Sequence, residues 1–273
     1  VWLSPIKAIY RFDNSDLANA NRIDGPIIYA ISEQSRLDPA LYLASLPSET
    51  LHVLDPASAN FWPTNWFREL ARTVVFDKEK MIATRRLLRQ LKGNGRIAVY
   101  FPAGVEPDAK TFRLYRAVTL LARKSGARII PVYTEGARFL PSSFTPSAKA
   151  PRQRFASLKA HALPAMDMAA IIEKRGRDFS SPSYALFDRM AQSRLEATDF
   201  SIGMFKAMLN AAKTYGPGRI IVEDTVTGSL TYKRVLIGAR VLGKRFAEMS
   251  KPGEAMGVLL PNANGAVVTF FAL

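Results

Sequence analysis

The sequence predicts an α/β domain with a largely parallel sheet flanked by helices. Between about residue 26 and residue 135, short β-rich apolar runs alternate with helical stretches, the pattern of that fold class. Apolar residues make up 48% of the chain and charged residues 22%, the balance of a folded globular protein. The 273 residues exceed one average domain, so one large domain, or one domain plus part of another, is expected.

The elements follow in order. Residues 27–31 read as a buried strand, and a helix starts after Asp38-Pro39, where proline suits a first helical turn. A strand is expected at 51–54, a helix at 61–71 and a strand at 74–76. The basic run 78–92 reads as a helix stopped by Gly93-Asn94-Gly95. Residues 96–101 form a strand, about 111–124 a helix, and 127–133 the strand that closes the series. The Pro- and Ser-rich stretch 140–154 lacks periodicity and reads as a loop. Helices are expected over 182–197 and 202–214. The pattern then changes: 219–232 reads as a hairpin turning near Thr227-Gly228, followed by a helix over 232–249, a strand over 257–260 and a helix over 262–273. The apolar end of that last helix suggests a second unit that continues beyond Leu273.

Composition narrows the chemistry. There is no cysteine, so a disulfide framework, a thiolate zinc site and a cysteine nucleophile are excluded. Only His52 and His161 are present, which leaves no material for a multi-histidine metal site, and no metal is expected. The formal net charge is +15 with a pI of about 10.2, so an acidic partner is expected. The charge is uneven: net −3 over residues 1–60, +11 over 61–150 and +7 over 151–273. The densest basic run, 78–92, places Met81, Leu88 and Leu91 roughly on one helical stripe, with Arg85, Arg86, Arg89 and Lys92 largely elsewhere. A solvated helix face explains this run as well as a binding surface does. Nucleic acid is the weaker partner, because no recognisable binding motif or aromatic stacking platform accompanies the charge. The chain begins at Val1 with no visible signal peptide, and no apolar run approaches the ~20 residues of a spanning helix.

Three segments hold candidate chemistry. Ile31-Ser-Glu-Gln-Ser-Arg-Leu-Asp-Pro39 follows a buried strand, the place where α/β proteins build sites. Some 60 residues later a strand ends in Phe101-Pro-Ala-Gly-Val105, and a third passes through Ile130-Pro-Val-Tyr-Thr-Glu-Gly136. In order and spacing these resemble motifs of the glycerolipid acyltransferase family: His-x-x-x-x-Asp, Phe-Pro-Glu-Gly and a proline-containing strand. The stretch 122–137, with Val222-Glu-Asp-Thr, Leu230-Thr-Tyr232 and Val258-Leu-Leu-Pro-Asn-Ala263, further resembles the bifunctional 2-acylglycerophosphoethanolamine acyltransferase/acyl-[acyl-carrier-protein] synthetases. The resemblance implies an acyltransferase-like domain over residues 1–200, and the start of an adenylate-forming synthetase domain over 201–273.

It also implies roles. In the family the motif histidine takes the proton of an acceptor hydroxyl, and the motif aspartate orients the imidazole. Here Asp38 matches the aspartate, but Glu33 occupies the histidine position. Phe101, Pro102 and Gly104 match the third motif, whereas Ala103 replaces its glutamate and Val105 its frequent arginine. Arg72, where a second motif falls, and Arg113 are candidate cations for a lipid phosphate. Glu33 and Asp38 are also readable as a polar loop, with Asp38 capping the helix that Pro39 starts. The implied partners are acyl carrier protein or another acyl thioester, a lysophospholipid and an anionic membrane surface, at the cytoplasmic face of an inner membrane. ATP and Mg²⁺ are expected only for a complete synthetase domain. The alternative is a non-catalytic module that docks acyl carrier protein or membrane for an attached synthetase.

Overall fold

A computed structural model describes residues 8–54, 73–75, 82–102, 109–168, 170–171, 182–251 and 253–273. The chain forms two compact units, residues 1–198 and 199–273. In the first, the elements are α1 (Ser15–Ala20), β1 (Ile27–Glu33), α2 (Asp38–Leu43), β2 (Leu51–Leu54), β3 (Thr73–Val75), α3 (Ile82–Lys92), β4 (Arg96–Pro102), α4 (Ala109–Ser125), β5 (Arg128–Glu135), β6 (Lys159–Ala162) and α5 (Pro182–Glu196). The expected helix at 61–71, together with Phe76 and residues 78–81, lies outside the described residues.

The strands form one six-stranded sheet in the order β3-β2-β4-β1-β5-β6. The first five run parallel, and β6 pairs antiparallel with β5. β1 lies at the centre and is buried at every position. That is why its sequence reads as a continuous apolar run rather than an alternation. Its side chains nonetheless divide between two cores. Ile27, Tyr29 and Ile31 join Leu41, Tyr42, Tyr100, Ile130 and Val132 on one face. Ile28 and Ala30 join Leu87, Leu91, Val99, Phe101, Phe112 and Tyr115 on the other. Each fully buried Ile or Leu in these layers contributes about 1.5–3 kcal/mol relative to an exposed one. α3 and α4 cover the second face, their buried residues at helical spacing.

The stop signal after α3 acts as the sequence implies. Asn94 takes a left-handed φ of 61°, and the Gly95 N–H donates to the Gln90 carbonyl at 2.9 Å. A Cβ on Gly95 would sit 2.6 Å from that carbonyl oxygen, so the turn closes tightly only with glycine. The sequence gives no warning of α1 or of β6, an edge strand of four residues that includes His161.

The second unit contains α6 (Met204–Tyr215), β7 (Ile220–Asp224), β8 (Gly228–Thr231), α7 (Tyr232–Met249) and α8 (Asn264–Ala272). β7 and β8 form the expected hairpin, with Gly228 at φ 80° just past the turn. The Asp224 carboxylate accepts from Thr227 Oγ1 and from the N–H groups of Val226 and Asn264, which fastens the hairpin to the start of α8. These bonds hold its pKa down at about 2. Thr231 caps α7 by accepting from the Arg234 N–H. The strand expected at 257–260 does not form. Its apolar residues find no ladder partner among the described residues, and Leu259 is fully exposed.

Candidate functional site

The parallel register brings two of the motif segments together. β1 ends at Glu33 and β4 at Pro102, and these two residues are paired; two residues earlier Ile31 lies opposite Tyr100. On the other side of β1, β5 sets Pro131 opposite Ala30 and Tyr133 opposite Ser32. The carboxyl ends of three strands therefore converge around Glu33, which is 5% exposed.

The turn after Glu33 is organised by Asp38. Its carboxylate accepts from the Gln34 N–H at 2.7 Å, the Ser35 N–H at 3.2 Å and Ser35 Oγ at 2.7 Å. Asp38 thus faces back toward the strand end, and α2 starts with no side-chain cap. This corrects the capping role the sequence suggested: the carboxylate satisfies the turn before the helix instead. Asp38 is fully buried, and its pKa is pushed up to about 6. Burial dominates, and the three hydrogen bonds to the charged form only partly offset it.

Below this turn lies a buried polar layer. Tyr42 of α2 and Thr134 of β5 share a hydrogen bond of 2.6 Å between hydroxyls. Gln34 Nε2 donates to the Thr134 carbonyl at 2.8 Å, locking the turn onto β5. His52 Nδ1 and Tyr100 Oη lie 2.9 Å apart, with their rings stacked. Burial drives the His52 pKa down to about 3, so the imidazole is neutral at physiological pH. Burial likewise raises both phenols, and the charges of Glu33 and Asp38 raise Tyr100 further. The arrangement offers carboxylates as proton acceptors, with phenols and one neutral imidazole as hydrogen-bonding neighbours.

The remaining predicted residues are more scattered. Phe101 points into the opposite core, its ring 4.6 Å from that of Tyr115, so it supports the strand rather than lining the polar layer. Pro102 is exposed beside Glu33, and Arg113 is exposed on α4. Arg72, Ala103, Gly104 and Val105 lie outside the described residues. His52 lies in β2, a strand separate from the motif segments. Because β2 neighbours β4, the His52 imidazole reaches Tyr100. His161 lies on β6, its Nε2 2.8 Å from Glu135 Oε2. Tyr42, Tyr100 and Thr134 were not singled out from the sequence. Period-two alternation from Tyr29 to Glu33 and from Ala98 to Pro102 was the available signal for Tyr100.

No group of three or more His, Cys, Asp or Glu among the described residues could hold a metal ion. A cleft of about 490 Å³, lined by Glu49, Arg86, Arg89, Gln90, Gly93, Asn94 and Gly95, lies at the opposite end of β4. Seven strand residues, about 20 Å, separate that end from the Glu33 neighbourhood.

Unit 1 is thus an α/β domain with a mainly parallel sheet flanked by helices, and its polar cluster sits at the carboxyl ends of the strands. No family model matches the chain. Among solved structures it is similar to the 1-acyl-sn-glycerophosphate acyltransferase from Thermotoga maritima, with a TM-score of 0.48 and 16% sequence identity. That likeness covers 72% of this chain and 80% of the other. No described helix is long and apolar enough to cross a membrane.

Proposed function

We propose that unit 1 is a glycerolipid-acyltransferase-type domain that moves an acyl chain from a thioester, borne by acyl carrier protein, to a lysophospholipid. The observation that supports this best is the convergence of the motif segments. Glu33 lies beside Pro102, Pro131 flanks the same strand, and Asp38 is bound back onto the turn that follows Glu33. In such a reaction the acceptor hydroxyl gives its proton to a base as its oxygen bonds the thioester carbonyl carbon. The carbon–sulfur bond then breaks, and the proton passes to the departing thiolate. Glu33 is the base in this account and Asp38 positions the turn that carries it. A carboxylate is an intrinsically weaker base than imidazole and so a poorer acceptor for an alcohol proton, and slow turnover is expected.

By the same motif resemblance, residues 201–273 are read as the N-terminal part of an adenylate-forming synthetase domain, to which any ATP and Mg²⁺ chemistry would belong. A second reading is favoured by one observation: Arg85, Arg86 and Arg89 are all exposed on α3. In that reading the domain is a non-catalytic module that docks acyl carrier protein or membrane. Acyl transfer from acyl carrier protein to lysophosphatidylethanolamine, measured with the purified chain, separates the two. Catalysis that falls in both Glu33→Ala and Asp38→Ala supports the first reading. Catalysis indifferent to both changes refutes the site, and no transfer at all favours the docking module.

A further inference from the structure

We propose that α3 and α4 together form a docking face for an anionic lipid bilayer. α3 carries Arg85, Arg86, Arg89 and Lys92, and α4 carries Arg113, Arg116, Arg123 and Lys124, all exposed. Neither helix contains an Asp or Glu. Among the described residues none of these eight cations lies in a salt bridge. The apolar sides of the two helices, Leu87 and Leu91 of α3 with Phe112, Tyr115, Val118 and Leu121 of α4, enter one core cluster. The helices therefore share a layer on the sheet and turn their charged sides outward. Intramolecular ion pairing does not explain this charge among the described residues.

The dimensions suit a cooperative surface. Residues 85–92 span about 10 Å of helix and 113–124 about 16 Å, while packed helices lie roughly 8–10 Å apart. Neighbouring charges along each helix and across the pair are separated by distances near the Debye length of about 8 Å at physiological salt, so adjacent charges act on an anionic surface jointly. Six of the eight are arginine, whose planar fork pairs with phosphate oxygens.

The composition of the face argues for lipid over protein. Specific protein interfaces centre on aromatic and apolar anchors from which charge is depleted. Among the described residues of these helices the one large exposed apolar side chain is Leu120. A uniform cationic surface without such a centre matches a planar array of phosphates, which demands no register. The choice of lipid over nucleic-acid phosphate rests on the acyltransferase reading, because a lysophospholipid acceptor resides in a bilayer.

The test is flotation of the purified 273-residue chain with neutral phosphatidylcholine vesicles and with vesicles enriched in phosphatidylglycerol. It needs no catalysis, so an inactive protein that still binds leaves the docking face standing while the proposed activity fails. Selective binding to the anionic vesicles, weakened by salt, is expected. Each surface charge contributes about fivefold to partitioning, so combining Arg85→Gln, Arg86→Gln and Arg89→Gln lowers it roughly a hundredfold. Combining Arg116→Gln and Arg123→Gln gives a second, independent reduction. Circular dichroism melting confirms that both variants fold. Vesicle binding unchanged in both variants overturns the proposal. So does tighter, equally variant-sensitive binding to an acidic protein or a nucleic-acid duplex added as competitor, which assigns the face to that partner.

Discussion

Asp38 gives the sharpest physical test, because two opposing effects of known sign meet on one carboxylate. Its burial penalises the ionised form, while three hydrogen bonds from Gln34 and Ser35 stabilise it. Burial wins, and the pKa rises from 3.8 to about 6. The folded state therefore binds more protons than the unfolded state between about pH 4 and pH 6. Stability linked to Asp38 is fully present below the unfolded pKa and is lost as pH rises through the folded one, for a total of about 3 kcal/mol. Asp38→Asn removes the titration but leaves an amide facing buried N–H donors, a mismatch costing about 1–3 kcal/mol. Urea unfolding of both proteins, followed by circular dichroism from about pH 4 to pH 7, isolates the effect as a difference between them. The cost of Asp38→Asn is expected to shrink by about 3 kcal/mol across that range. A cost that stays constant refutes the raised pKa. One that grows with pH shows that the hydrogen bonds outweigh burial.

Other consequences are independent of that carboxylate. His52 has the opposite sign: its pKa is lowered to about 3, so the stability it confers is lost as pH falls from about 6.5 toward 3. His52→Gln should flatten acid unfolding in that window, measured by the pH midpoint of the circular dichroism transition. Tyr42→Phe removes the hydroxyl bonded to Thr134 and should cost about 1–2 kcal/mol in urea unfolding. Gly136 combines a φ of 86° with a Cβ position 2.2 Å from the Ser157 carbonyl oxygen. Gly136→Ala should therefore destabilise unit 1 by at least about 2 kcal/mol, read as a lowered melting temperature.

Much of this arrangement is visible in the chain because its signals are local. The buried runs that became β1 and β4, the Gly93-Asn94-Gly95 stop and the Thr227-Gly228 turn are each set by neighbouring residues. What escaped depends on long-range pairing. His52 and Tyr100 are 48 residues apart and meet only because β2 docks beside β4. β6 is a short edge strand whose pairing with β5 is antiparallel, outside the alternating pattern that predicted the other strands. Asp38 was readable as a helix cap because the residue type fits, yet the free donors of the preceding turn captured its carboxylate. The run 257–260 shows the converse, since apolar β-formers make no strand without a partner.

Restoring the imidazole tests the proposed site most directly. Glu33→His would place a histidine five residues before Asp38, at the end of the same buried strand. If Glu33 occupies the base position, acyl transfer from acyl carrier protein to lysophosphatidylethanolamine should rise, because imidazole is better matched than a carboxylate to taking an alcohol proton near neutral pH. Adding Asp38→Ala should abolish the gain. A Glu33→His protein that folds and binds lipid, but transfers acyl chains no faster than the native chain, contradicts the assignment.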